Sequence, residues 1–155
     1  MRLTSEQEAM YIACAMESSA VQLYERALQV LEGQGRQEEA LYRSLAAMRL
    51  EEMSHLNRFR SFYNGLDADA ENQLMLAAVA DGILFEGGLM GAARAGLLKD
   101  VDSMLGYAAQ CEATSAQKYR EFAENAQSQE AKAALLAIAA EEERHLKELT
   151  EQTEA

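Results

Sequence analysis

Four stretches of this chain set residues on one helical face at alternating three- and four-residue steps, the spacing of helices that pack around a shared core. Their seams read Met10, Ala13, Glu17, Ala20, Tyr24, Ala27, Leu31; then Leu41, Leu45, Met48, Glu52, His55, Phe59, Phe62. The later pair read Leu105, Ala108, Glu112, Ser115, Tyr119, Phe122 and Ala131, Leu135, Ile138, Glu142, His145, Leu149. Few other arrangements of elements satisfy such a pattern, and the absence of proline from all 155 residues removes the commonest helix breaker. An all-α protein is the expectation, with a single domain at this length.

Helix ends are marked locally. Thr4 or Ser5 caps the first helix, with Glu8 in capping-box position, and the helix runs to about Leu31. Two glycines in "EGQGRQEE" supply a turn, and a second helix is expected from Gln37 to Tyr63, stopped by "NGLD". A third runs from Asp100 to Asn125 and a fourth from Ser128, a capping residue, to Glu151. The chain thus divides into a helical hairpin over 4–63, a crossover over 66–98 and a second hairpin over 100–151. The apolar run 74–98 is broken by Asp81, Glu86, Arg94 and five glycines, so it reads as a buried or interfacial connector and not a membrane span.

The hairpins resemble each other. Glu17, Gln22 and Tyr24 share their spacing with Glu112, Gln117 and Tyr119, and "EEMSHL" at 51–56 aligns with "EEERHL" at 141–146. An internal duplication of a helical hairpin explains both matches.

Each seam carries a glutamate near its middle, and the only two histidines of the chain follow two of these glutamates by three residues. Four carboxylates in one apolar interior repel one another and lose hydration, so they must either take up protons or meet cations. Glu-x-x-His puts a carboxylate and an imidazole on one helical face, within reach of one ion. A single such motif on an acidic helix is weak evidence, whereas four core glutamates together with both histidines point to two divalent ions per chain. Oxygen-rich ligation with one imidazole per ion suits iron(II) or manganese(II) and admits zinc.

With these residues in hand, the whole chain resembles the ferritin-like di-iron carboxylate proteins, and among them the rubrerythrin group: Glu17, then Glu52 and His55, a long crossover, then Glu112, then Glu142 and His145. The resemblance implies a ferritin-like four-helix bundle made of two hairpins. It also implies that Glu17 and Glu112 are terminal ligands, Glu52 and Glu142 bridging ones, and His55 and His145 one imidazole for each of two iron ions. Two features depart from that group. The additional glutamate one turn from the third-helix ligand is missing, since Ala109 and Ser115 stand there, with Glu86 a candidate for the absent acid. No CxxC pairs exist to form a rubredoxin domain, so an external electron-donor protein is implied.

Tyr24 and Tyr119, two turns beyond Glu17 and Glu112, are candidates to hydrogen-bond a ligand carboxylate or accept a radical, and equally fit as core tyrosines. Glu51 and Glu141 point off the seam, toward solvent or behind a ligating imidazole. Cys14 and Cys111 behave as small hydrophobes and the eight methionines as gap fillers.

Three functions remain open: a di-iron oxidoreductase reducing hydrogen peroxide or oxygen, an iron-storing ferroxidase, or a helical module with a structural metal site. A formal charge of −12 argues against nucleic acid and anionic membrane surfaces as partners. Sparse cysteine fits a reducing compartment, and Glu6 and Glu8 interrupt any signal-peptide apolar stretch, so a cytoplasmic location and a homodimer are the expectations.

Overall fold

Ser5 is extended and its hydroxyl accepts from the backbone N–H of Glu8 at 3.2 Å, which starts helix α1 at Glu6 and lets it run to Gly33. Glu8 reaches back one residue further than a reciprocal capping box requires, to the backbone N–H and hydroxyl of Thr4 at 2.7 and 2.6 Å. The computed structural model describes residues 3–154 of the chain. Helix α2 spans Ala40–Arg60, shorter at both ends than its pattern. Arg36 holds Glu39 at its start in a two-pronged ion pair, and Gly65 turns the chain at its end with φ 104°.

The crossover departs from a plain connector, because it contains helices α3, Ala68–Ala80, and α4, Gly88–Arg94. Asp67 caps α3 by accepting from Ala70 N–H, inside the stretch "NGLD" that reads as the stop of the preceding helix. Helix α5, Val101–Glu124, is capped by Asp100, and α6, Gln129–Glu154, begins at Ser128, whose hydroxyl accepts from Ala131 N–H. Ser128 also donates from its backbone N–H and its hydroxyl to Glu6, which ties the start of α6 to the start of α1.

All six helices are α-helical and no strand occurs among the described residues. Their packing is bundle-like: α1 lies along α2 and α5 along α6, α1 also meets α5, and α2 meets α6. Helices α3 and α4 pack on α1. Of the seam residues only Ala20, Leu41 and Phe62 remain partly exposed. The apolar core is split in two. One cluster holds Met10, Ile12, Phe59, Tyr119 and Leu135, the other Leu31, Leu45, Met48, Leu105 and Leu149. Along every long helix the switch from one cluster to the other falls at the seam glutamate, so a polar layer lies between two dry ones. Among the described residues no helix is long and apolar enough to cross a membrane.

Candidate metal centre

That polar layer consists of Glu17 from α1, Glu52 and His55 from α2, Glu112 from α5, and Glu142 and His145 from α6, none more than 4 % exposed. Their ligand atoms form two overlapping groups, each within 4.8 Å: Glu17, Glu52, His55 and Glu142, and Glu52, Glu112, Glu142 and His145. Each group could hold a metal ion. The residues common to both are Glu52 and Glu142, the glutamates of the two Glu-x-x-His motifs.

The imidazoles lie nearly parallel, 6.0 Å apart between centroids, and both turn Nδ1 inward. His55 Nδ1 faces Glu142 at 2.8 Å and Glu17 at 3.6 Å; His145 Nδ1 faces Glu52 at 2.7 Å and Glu112 at 3.5 Å. These approaches are close in distance but lack hydrogen-bonding direction. Among the described residues seven buried side-chain atoms have no hydrogen-bond partner: Glu17 Oε2, both oxygens of Glu52, Glu112 Oε2, Glu142 Oε1 and the two Nδ1 atoms. All seven belong to this one layer. A folded protein leaves few buried polar groups orphaned, and orphans gathered in one layer from four helices could serve as the donor set of metal ions.

The outer face of each ring is held from the opposite hairpin. His145 Nε2 meets Glu51 of α2 at 2.9 Å, and His55 Nε2 meets Glu141 of α6. A carboxylate behind an imidazole fixes its tautomer and aims its other nitrogen at a metal. Glu51 and Glu141 thus stand behind the rings and not free in solvent, although each is partly exposed. Tyr24 and Tyr119 cross in the same manner: Tyr24 donates to Glu112 at 2.6 Å and Tyr119 to Glu17 at 2.9 Å, each to the other hairpin's glutamate. Their spacing from Glu17 and Glu112 within one helix gave the reach but not this exchange.

Without cations, protons must settle the charge of the layer. Burial, reinforced by the other carboxylates, raises Glu17 and Glu142 well above the ordinary carboxyl range. Burial also acts on Glu52, but His145, Glu17 and His55 outweigh it and hold Glu52 below that range. For His145 burial favours the neutral ring, yet Glu112 and Glu52 raise it to about 11. Both tyrosine phenols are pushed up by burial and by the glutamates they face. Divalent cations would replace these protons and release the cost of crowding carboxylates.

Glu86 is exposed in the crossover and belongs to neither group. Cys14 and Cys111 are free thiols outside both groups, with Cys111 raised to about 11 chiefly by burial. The sequence pattern missed the crossover residues 83–89, which cover one side of the centre between α1 and α5. Comparison of the chain with protein-family models, curated proteins and solved structures finds no match in any of the three.

Proposed function

We propose that the chain is a di-iron carboxylate protein that reduces hydrogen peroxide or oxygen, as its resemblance to rubrerythrin-type members of the ferritin-like proteins implies. The observation that carries this reading is the convergence of seven orphaned buried donor atoms on one layer. In it Glu17, Glu52, His55 and Glu142 would hold one ion and Glu52, Glu112, Glu142 and His145 the other, so that each ion would receive one imidazole. Oxygen-rich ligation with a single nitrogen per ion favours iron(II), with manganese or zinc as competitors.

Two iron(II) ions held by these residues would supply the two electrons, one each, that with two protons reduce hydrogen peroxide to two waters. The chain's own residues prepare the site. Glu51 and Glu141 orient the imidazoles, Tyr24 and Tyr119 fix the terminal glutamates, and the two apolar clusters keep bulk water out. Re-reduction is assigned to an external electron-donor protein, and the working unit to a homodimer.

A second reading, an iron-storing ferroxidase, is favoured by one observation: Ala109 and Ser115 stand where an additional carboxylate would be, leaving four glutamates and two histidines. Rapid mixing of the iron(II)-loaded protein with peroxide and, separately, with oxygen separates the two. Faster oxidation by peroxide with two irons per chain supports the peroxidase; oxygen-driven uptake of many irons per chain supports storage.

A further inference from the structure

The crossover does more than connect the hairpins. Together with α1 and α5, residues 83–89 enclose a cavity of about 50 Å³ whose wall includes Glu112 and Glu142. A water-sized molecule needs roughly 10–15 Å³ of such space, so the cavity has room for a few of them and no more. Outside it lies a groove of about 820 Å³. Leu84, Phe85 and Tyr107 line both spaces, Leu84 is only 8 % exposed, and the Phe85 ring meets Tyr107 edge-on at 6.1 Å.

Size and charge restrict what this cavity can take. Its flanks are apolar, with Met16, Leu23 and Leu84, while Glu112, Glu142 and Ser115 supply its polar side. Lys, Arg and His are absent from its wall among the described residues, so an anion gains no partner and meets two carboxylates. The cavity also takes no residue from α2, whereas Glu51 and Glu141 approach solvent where α2 meets α6. The centre therefore has two distinct sides, one of histidines backed by carboxylates and one with open space.

We propose that this cavity is the oxidant pocket, entered from the groove past Leu84, Phe85 and Tyr107 by a small uncharged molecule with an O–O bond. This rests on the redox di-metal reading of the centre and adds to it the route, the side of approach and the exclusion of bulky hydroperoxides. Tyr107 and Phe85 set the size limit, and Ala20, which also lines the cavity, keeps the inner space open by being small.

The test uses the full chain with Ala20→Leu, which fills the cavity, and Phe85→Ala, which widens its entrance. Xenon, which occupies apolar space, probes the apolar flank formed by Met16, Leu23 and Leu84 in metal-free protein by NMR. Iron content and oxidation by hydrogen peroxide, oxygen and cumene hydroperoxide are then measured on loaded protein. Expected for Ala20→Leu is loss of the xenon signal, unchanged iron per chain and oxidation by both small oxidants slowed about tenfold or more, since misplacing a reactant by about 1 Å costs up to about a hundredfold. Phe85→Ala should raise the cumene hydroperoxide rate relative to hydrogen peroxide by at least about tenfold, the scale on which a pocket senses a few carbon atoms. The proposal is overturned if folded Ala20→Leu with full iron oxidises at the wild-type rate, or if Phe85→Ala leaves the preference between peroxides unchanged. Wild-type protein that takes up no iron overturns the redox reading as well, and iron content tells that failure from the other two.

Discussion

The hydroxyl of Tyr24 on α1 donates to Glu112 on α5 at 2.6 Å, and the mirror pair Tyr119 and Glu17 repeats the exchange between the same helices at 2.9 Å. Each hairpin thus fixes a carboxylate of the other. His55 with Glu141 and His145 with Glu51 do the same between α2 and α6. A duplicated hairpin cannot complete the layer alone, because every buried ligand group that is held from behind is held by the opposite copy.

Removing one such hold tests its contribution. Tyr24→Phe deletes a buried hydrogen bond to a carboxylate and should destabilise the metal-free protein by about 1–3 kcal/mol. Metal affinity should fall about tenfold or more, because Glu112 loses the partner that orients it. Chemical denaturation and calorimetric metal titration measure the two effects separately.

The duplication is imperfect at one informative place. Arg144 pairs with Glu51 at 2.6 Å, but its counterpart in the first hairpin is Ser54, and Glu141 has no Lys or Arg within 4.0 Å among the described residues. The positive charge beside Glu51 opposes a cation at the His145 side, so the two ions should bind in two resolved steps, the His55 side first. Arg144→Ala should tighten the second step and draw the two together. Glu141→Gln should weaken the first by roughly ten- to a hundredfold.

Crossover geometry depends on a close backbone approach. A Cβ at Gly91 would stand 1.9 Å from the carbonyl oxygen of Glu86, so Gly91→Ala must push residues 86–91 apart. Overpacking of this kind costs about 1–3 kcal/mol. Because this segment covers the oxidant pocket, the variant should lose discrimination between small and bulky peroxides while keeping its iron, which parallel kinetic and metal analyses would show.

Glu8 provides a pH signature away from the centre. Hydrogen bonds from Thr4 hold its carboxyl below the ordinary range, with burial opposing them weakly. A depressed folded pKa contributes stability above the unfolded pKa that is lost as pH falls through the folded one. Wild type should therefore exceed Glu8→Gln by a few tenths to about 1 kcal/mol near neutral pH, as for other exposed caps, with the difference vanishing in acid below about pH 4. Thermal denaturation of both proteins from pH 7 to 3 measures it.

The long helices and the buried layer were legible in the sequence because one periodicity encodes both. Glu17, Glu52, His55, Glu112, Glu142 and His145 occupy positions that helical spacing assigns to the core, and the structure buries every one. Spacing within a helix says nothing of which neighbour it faces, so the exchange of Tyr24, Tyr119, Glu51 and Glu141 between hairpins required the packed chain. Helices α3 and α4 were hidden for another reason. Their apolar letters lack a clear one-sided stripe, and five glycines in 74–98 read as breaks, although two of them, Gly88 and Gly91, lie within α4.

Metal stoichiometry is the most direct test of the centre. Protein purified without oxygen, loaded with iron(II) and freed of excess should carry two irons per chain by elemental analysis. Glu52→Ala combined with Glu142→Ala, which removes the two residues common to both groups, should carry close to none while remaining helical. Wild type without bound metal, or a double variant that retains both irons, would contradict the assignment of this layer as a di-metal centre.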